Sequence, residues 1–134
     1  MRNLNRTSEN PMLKQGYVAA VLYMALIFIL SVRKSPEAVE LFWQADKAAH
    51  FILYALMGFL WARALVRGSR YTGVRGSGKK VIAAAFTISF LYGVFIEFVQ
   101  HFIPERSGEV MDALVNGMGG FFGAFMYGYF FSRK

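Results

Sequence analysis

Glu97, Asp112 and His50 are ionisable side chains set inside or at the edge of long apolar runs, where an unpaired charge is expensive and functional use is the default reading. Their spacing groups them with other polar residues. Asp46, His50 and Tyr54 recur at four-residue steps, Gln100 and His101 follow Glu97 by three and four, and Asn116 follows Asp112 by four, so each set occupies one helical face. Carboxylate and imidazole on converging faces are the groups of general acid–base chemistry. In an enzyme His50 or Glu97 serves as base, Asp46 or Asp112 orients the imidazole, and Arg106 meets developing negative charge. The same groups suit recognition without turnover, in which Arg106 and Lys47 hold phosphate or carboxylate while Glu97, Asp112 and Asn116 orient their neighbours. The absence of cysteine excludes thiol nucleophiles, disulfides and Cys-based zinc sites. No serine nucleophile is evident either, which leaves water-mediated hydrolysis or transfer as the natural enzymatic route.

Duller roles compete for each residue. Asp46 can cap a helix, Lys47, Glu105, Arg106 and Glu109 can be solvated interface charges, and Asn116 can be an interhelical hydrogen bond worth ~0.6 kcal/mol. Asp46 with His50 and Glu97 with His101 have the one-turn spacing of helical metal ligands, yet there is no HExxH, and a di-iron bundle needs two Glu-x-x-His pairs. Neither a metal nor a cofactor is expected on this ground. The segment GVRGSGK, Gly73 to Lys79, matches the glycine and lysine spacing of a phosphate-binding loop. Lys80 stands where that loop needs Ser or Thr, and the flanks read as membrane helices, so contact with anionic lipid is the better reading.

What must position these side chains is a set of membrane helices. The chain is 56% hydrophobic and 17% charged over 134 residues, with 14 Phe, 7 Tyr and 7 Met, too apolar for a soluble domain of this size. Four apolar stretches, 16–32, 48–66, 81–102 and 110–131, are each near the ~20 residues that cross a bilayer. The expected fold is an all-α membrane protein: a single integral-membrane domain over 1–134, four transmembrane helices in a compact bundle. The N-terminal tail, the region from Arg63 to Lys80 and the C-terminus hold 11 of the 15 basic residues. The positive-inside rule therefore puts both termini and the central loop in the cytoplasm. Net charge of +7 is accounted for by this sorting, and no nucleic-acid partner is expected.

On that topology Asp46, Lys47, His50, Tyr54, Glu97, Gln100, Arg106, Asp112 and Asn116 all lie at outer helix ends, with Glu97 ~8 Å inside its span. Ser35 before Pro36, with Val39, Phe42 and Trp43 at helical spacing, predicts a short interfacial helix between spans one and two. Ser107 is placed to cap the fourth span, Trp61, Tyr127 and Tyr129 read as inner-interface anchors, and the Gly-rich segment from Arg67 to Lys80 reads as flexible. Ala85, Ser89 and Gly93 lead to Glu97, and Gly120, Ala124 and Gly128 continue from Asn116, which predicts close packing of spans three and four. Counted from Arg106, Glu97 and Asn116 fall at nearly equal depth in an antiparallel hairpin. A third class of function, proton or ion passage, lacks a relay toward the cytoplasmic side.

Two stretches, DKAAHFILYALMGFLW from Asp46 to Trp61 and YGVFIEFVQHFIPERSGEVMDALVNGMGGFFG from Tyr92 to Gly123, resemble the VanZ-like family of small bacterial membrane proteins. The order Asp-Lys-x-x-His, Glu-x-x-Gln, Pro-x-Arg and Asp-x-x-x-Asn with trailing glycines carries the resemblance. It implies site roles for Asp46, Lys47, His50, Tyr54, Glu97, Gln100, Arg106, Asp112, Asn116 and Gly120. Glu105 departs from the family's usual Gly before the Arg, and His101 lies outside its motif. The resemblance implies a bacterial cytoplasmic-membrane location and an envelope role tied to glycopeptide resistance, with membrane lipids and a lipid-linked cell-wall precursor as partners. It defines no reaction and no oligomeric state.

Overall fold

The computed structural model describes residues 11–33, 43–72, 78–104 and 109–131, the side chains of 12–13, 43–44 and 70–72 excepted. Four helices account for nearly all of them: α1 Pro11–Val32, α2 Trp43–Thr72, α3 Gly78–His101 and α4 Val110–Phe131. Pro11 opens α1, where its missing N–H has no cost. The last turn of α3 tightens, with Phe102 N–H donating to the Val99 carbonyl (3.1 Å) and Ile103 N–H to that of Gln100 (3.0 Å) before Pro104. The Glu109 carbonyl accepts the first bonds of α4, from Asp112 (3.0 Å) and Ala113 (3.3 Å). Glu109 thus holds the cap position that the sequence suggested for Ser107, which lies outside the described residues, as does the segment expected to form the interfacial helix.

α2 outruns its predicted span, 48–66, at both ends, and α3 starts three residues before position 81. Much of the segment expected to be flexible, Arg67 to Thr72 and Gly78 to Lys80, is helical. Lys and Arg are good helix formers whose long stems run along apolar surface, so a helix need not stop where the hydrocarbon does.

By length and composition, α1, α2 and α3 are apolar enough to cross a membrane. α4 is as long as α1, 22 residues, and carries Asp112, Asn116 and several glycines. Those residues face inward: Asp112, Asn116, Gly119, Gly120 and Gly123 are all buried. Its outward face is apolar, with Met118 64% exposed.

α4 makes its most extensive contact with α2 and the next with α3, while α1 lies against α2 and, more slightly, α3. The α2–α4 contact is backbone on backbone. A Cβ at Gly123 would overlap the Ala55 carbonyl, one at Gly119 the Phe51 carbonyl, and one at Gly58 the backbone of Gly120. The sequence placed the closest approach between spans three and four, and that ridge exists too, Gly120 riding on Ser89. Glycine removes the side-chain spacer from both contacts, so α4 wedges between its neighbours.

α1 is stitched on by side chains that seek backbone carbonyls. Tyr23 donates to Leu53 (3.0 Å), Tyr92 to Met24 (2.6 Å) and Gln100 to Ser31 (3.1 Å). Ile27, Tyr54 and Met57 form a buried cluster beneath these bonds, and Ala62, Val66, Val81, Ala85, Ala124 and Tyr127 form a second. Tyr127 therefore is core, its ring edge-on to Phe59 at 5.1 Å, rather than the interface anchor expected. Trp61 packs against both clusters and meets Tyr17 at 6.2 Å, and Tyr129 is exposed.

Candidate functional site

One end of the bundle brings together polar side chains from α2, α3 and α4. Asn116 is fully buried at its centre. Its Nδ2 donates to Glu97 Oε1 (3.4 Å), and its Oδ1 lies 3.0 Å from His50 Nδ1. With the amide nitrogen turned to Glu97, only the oxygen is left for His50, so Nδ1 carries the imidazole proton and donates it. The other ring nitrogen, Nε2, lies 3.8 Å from Asp46 Oδ1. Glu97 is 8% exposed and is held from two sides: Asn116 donates to one oxygen, and the Glu109 backbone N–H donates to the other (3.1 Å). The loop-side end of α4 is thereby fastened to α3.

Lys47 closes the other side of the cluster. Its ammonium donates to Asp112 and to Glu109 Oε2, the latter at 2.9 Å. Asp112 is 5% exposed, a depth at which a carboxylate is tolerated because the Lys47 charge lies against it. Among the described residues four carboxylates, Asp46, Glu97, Glu109 and Asp112, surround Lys47 and His50. The site is thus rich in acceptors, and its lysine bridges Asp112 and Glu109.

Gly93 makes the convergence sterically feasible. A Cβ there would meet Asn116 Cβ at 2.9 Å and Tyr54 Cε1 at 3.3 Å, so the missing side chain lets Asn116 and Tyr54 lie across α3. Tyr54 is 1% exposed, and its hydroxyl has no hydrogen-bond partner among the described groups. Gln100 is buried but turns to α1, where it holds Ser31. His101 is exposed and edge-on to Phe102. Arg106 and Glu105 lie outside the described residues.

Of the residues singled out by spacing, His50, Glu97, Asp112 and Asn116 thus lie in one connected set with Asp46 and Lys47. Glu97 and Asn116 meet at the common depth expected of the hairpin. Sequence reasoning undervalued Glu109, which pairs with Lys47, carries the α4 cap position and anchors Glu97. Its position three residues before Asp112 was the available signal. Asp46, His50 and Asp112 also each place one ligating atom within 4.8 Å of the others.

An apolar groove of about 570 Å³ runs between α2, α3 and α4, lined by Phe51, Phe86, Phe90, Leu114, Phe121 and Phe122. Phe51 adjoins His50 in the chain, and Leu114 lies between Asp112 and Asn116. None of the polar side chains of the network lines the groove.

Apolar helices wrapped around a polar network at one end define a helical membrane protein. A sequence model of the VanZ/LLP1 family matches residues 5–131, nearly the whole chain, and the chain belongs to that family. No curated protein and no solved structure matches it.

Proposed function

We propose that this VanZ-family protein binds the polar head group of an envelope lipid, or of a lipid-linked cell-wall precursor, and so modulates the envelope's response to glycopeptides. The observation that carries the reading is a buried polar network at one end of an apolar bundle whose same three helices also border an apolar groove. In this reading a head group sits against Asp46, His50 and Glu109, and its chain lies along the apolar exterior of the bundle. Four carboxylates and an amide favour a head group rich in donors, hydroxyls or amines, while Arg106 and Lys47 serve any phosphate or carboxylate it carries.

In this reading α4 is the fourth span, since its polar stripe is turned inward and its exposed face is apolar. Both termini lie in the cytoplasm, the segment before Trp43 lies along the outer interface, and the polar end faces the outer leaflet of the bacterial cytoplasmic membrane. Cysteine labelling of intact cells checks this orientation. Cysteines introduced near Thr72 are expected to react only from inside and near Ala38 only from outside; the opposite pattern moves the site to the cytoplasmic face.

A second reading, a membrane-embedded enzyme acting on a lipid-linked phosphate, is favoured by the state of His50. Its Nε2 points away from the Asn116 bond and is the ring nitrogen placed to act as a general base. Native mass spectrometry of protein purified from cell membranes tests the shared site. Wild type is expected to retain one lipid class, and Glu97→Gln, which keeps shape and removes charge, to lose it by tenfold or more at unchanged helicity, about 1.4 kcal/mol. Equal retention by the variant, or indifference to head group, defeats the binding site. Product formation from a lipid-linked phosphate selects the enzyme, and stoichiometric binding without product selects the modulator.

A further inference from the structure

We propose that Asp46, His50 and Asp112 form a binding site for one divalent transition-metal ion of the zinc class. The three residues present one carboxylate oxygen each from Asp46 and Asp112 and one imidazole nitrogen from His50, all within 4.8 Å of one another. Asp46 and His50 come from adjacent turns of α2, and their facing atoms, Oδ1 and Nε2, are 3.8 Å apart. Two ligand atoms on a tetrahedral zinc at bond lengths of about 2.0–2.1 Å are separated by roughly 3.4 Å. That pair is almost at ligating distance already. The Asp46 side chain is 54% exposed, so its carboxylate can swing the remaining distance without repacking the bundle.

The state of His50 is the independent observation. A metal-binding histidine typically gives its other ring N–H to a fixed acceptor, which sets the tautomer and aims the free lone pair at the ion. Asn116 Oδ1 is that acceptor at 3.0 Å, and Asn116 is fully buried and anchored in turn on Glu97. The arrangement turns Nε2 toward Asp46. A histidine serving only as packing or as a surface charge needs no such buried support.

Charge points the same way. Asp112 and Glu109 share Lys47, while Asp46 and Glu97 lie against His50. Lys47 bridges Asp112 and Glu109, so it can stay on Glu109 when Asp112 turns to an ion. The lysine ammonium is thus a built-in competitor for the third ligand. One nitrogen and two carboxylate oxygens suit zinc better than magnesium, which takes an all-oxygen shell and keeps its waters. The sequence alone argued against a metal because it showed no HExxH and not the two Glu-x-x-His pairs of a di-iron bundle; the third ligand comes from α4 and is brought in by the glycine-mediated contact with α2.

The inference does not depend on the lipid reading, and its test uses protein and ion alone. Full-length protein purified in detergent and stripped with chelator is titrated with zinc chloride and, separately, magnesium chloride by calorimetry. One zinc per chain is expected, with magnesium binding about 100-fold more weakly. Asp46→Asn, at an exposed position that leaves the fold intact, and His50→Ala should each weaken zinc about tenfold or more. Lys47→Gln removes the competitor and should tighten zinc several-fold. Absent or non-saturable zinc binding in the wild type overturns the proposal, as does zinc affinity unchanged by Asp46→Asn or not increased by Lys47→Gln. Should His50→Ala fail to fold, the other two variants, checked by circular dichroism, decide the matter.

Discussion

Asn116→Leu is expected to destabilise the bundle by about 2–4 kcal/mol, well beyond the ~0.6 kcal/mol average for a single interhelical hydrogen bond in a bilayer. The difference arises because Asn116 serves two neighbours at once. Leucine fills similar space but offers neither an acceptor to His50 Nδ1 nor a donor to Glu97 Oε1, now 3.0 and 3.4 Å away. Each buried group left without its partner costs ~1–3 kcal/mol. His50 then loses the bond that fixes its tautomer, and Glu97 keeps only the Glu109 backbone N–H. Thermal unfolding in detergent, followed by circular dichroism, measures the loss. Asn116→Asp separates the two halves of the effect, since it retains an acceptor for His50 and places a second carboxylate against Glu97. A drop under about 1 kcal/mol for the leucine variant would show that the network is peripheral to the fold.

A larger effect is expected from a smaller change. Gly123→Ala adds a single methyl group, but that group would overlap the Ala55 carbonyl and lie 3.0 Å from Ala55 Cα. Backbone cannot rotate away as a side chain can, so α2 and α4 must separate along the most extensive contact in the bundle. Overpacking costs ~1–3 kcal/mol when side chains can adjust, and a value at or above the top of that range is expected here. The damage should also reach the site, because the same contact carries Asp112 and Asn116 against Lys47 and His50. Gly78→Ala is the matched control, since nothing lies within 4 Å of a Cβ there. Size-exclusion profile and melting temperature in detergent report both. Equal stability of the two variants would mean that α2 and α4 are not held together by backbone contact.

The residues of the site were legible because a polar side chain in an apolar run is informative wherever it occurs. Glu97, Asp112 and Asn116 could be grouped by helical spacing, and counting outward from Arg106 placed Glu97 and Asn116 at one depth. Partner choice was not legible. Lys47 pairs with Asp112 and Glu109, Gln100 turns to the Ser31 carbonyl of α1, and Tyr127 enters the core instead of the interface. Each of these depends on which helix stands opposite, and one-dimensional periodicity gives a residue's face but not its neighbour.

Composition and periodicity by themselves determined an all-helical membrane protein, its four apolar stretches and the polar residues set within them, since burial in lipid requires backbone hydrogen bonds to close within each helix. The order of residues also carried the VanZ-like pattern. Only the tertiary structure decided that α4 wedges against α2 as well as α3, because glycine signals permission for close approach without naming the surface that approaches. It alone decided that Asn116 is the pivot between His50 and Glu97, and that Asp46, His50 and Asp112 converge within reach of one ion. Those relations join residues on different helices, and their geometry is set by how the helices pack, which no spacing along one helix encodes.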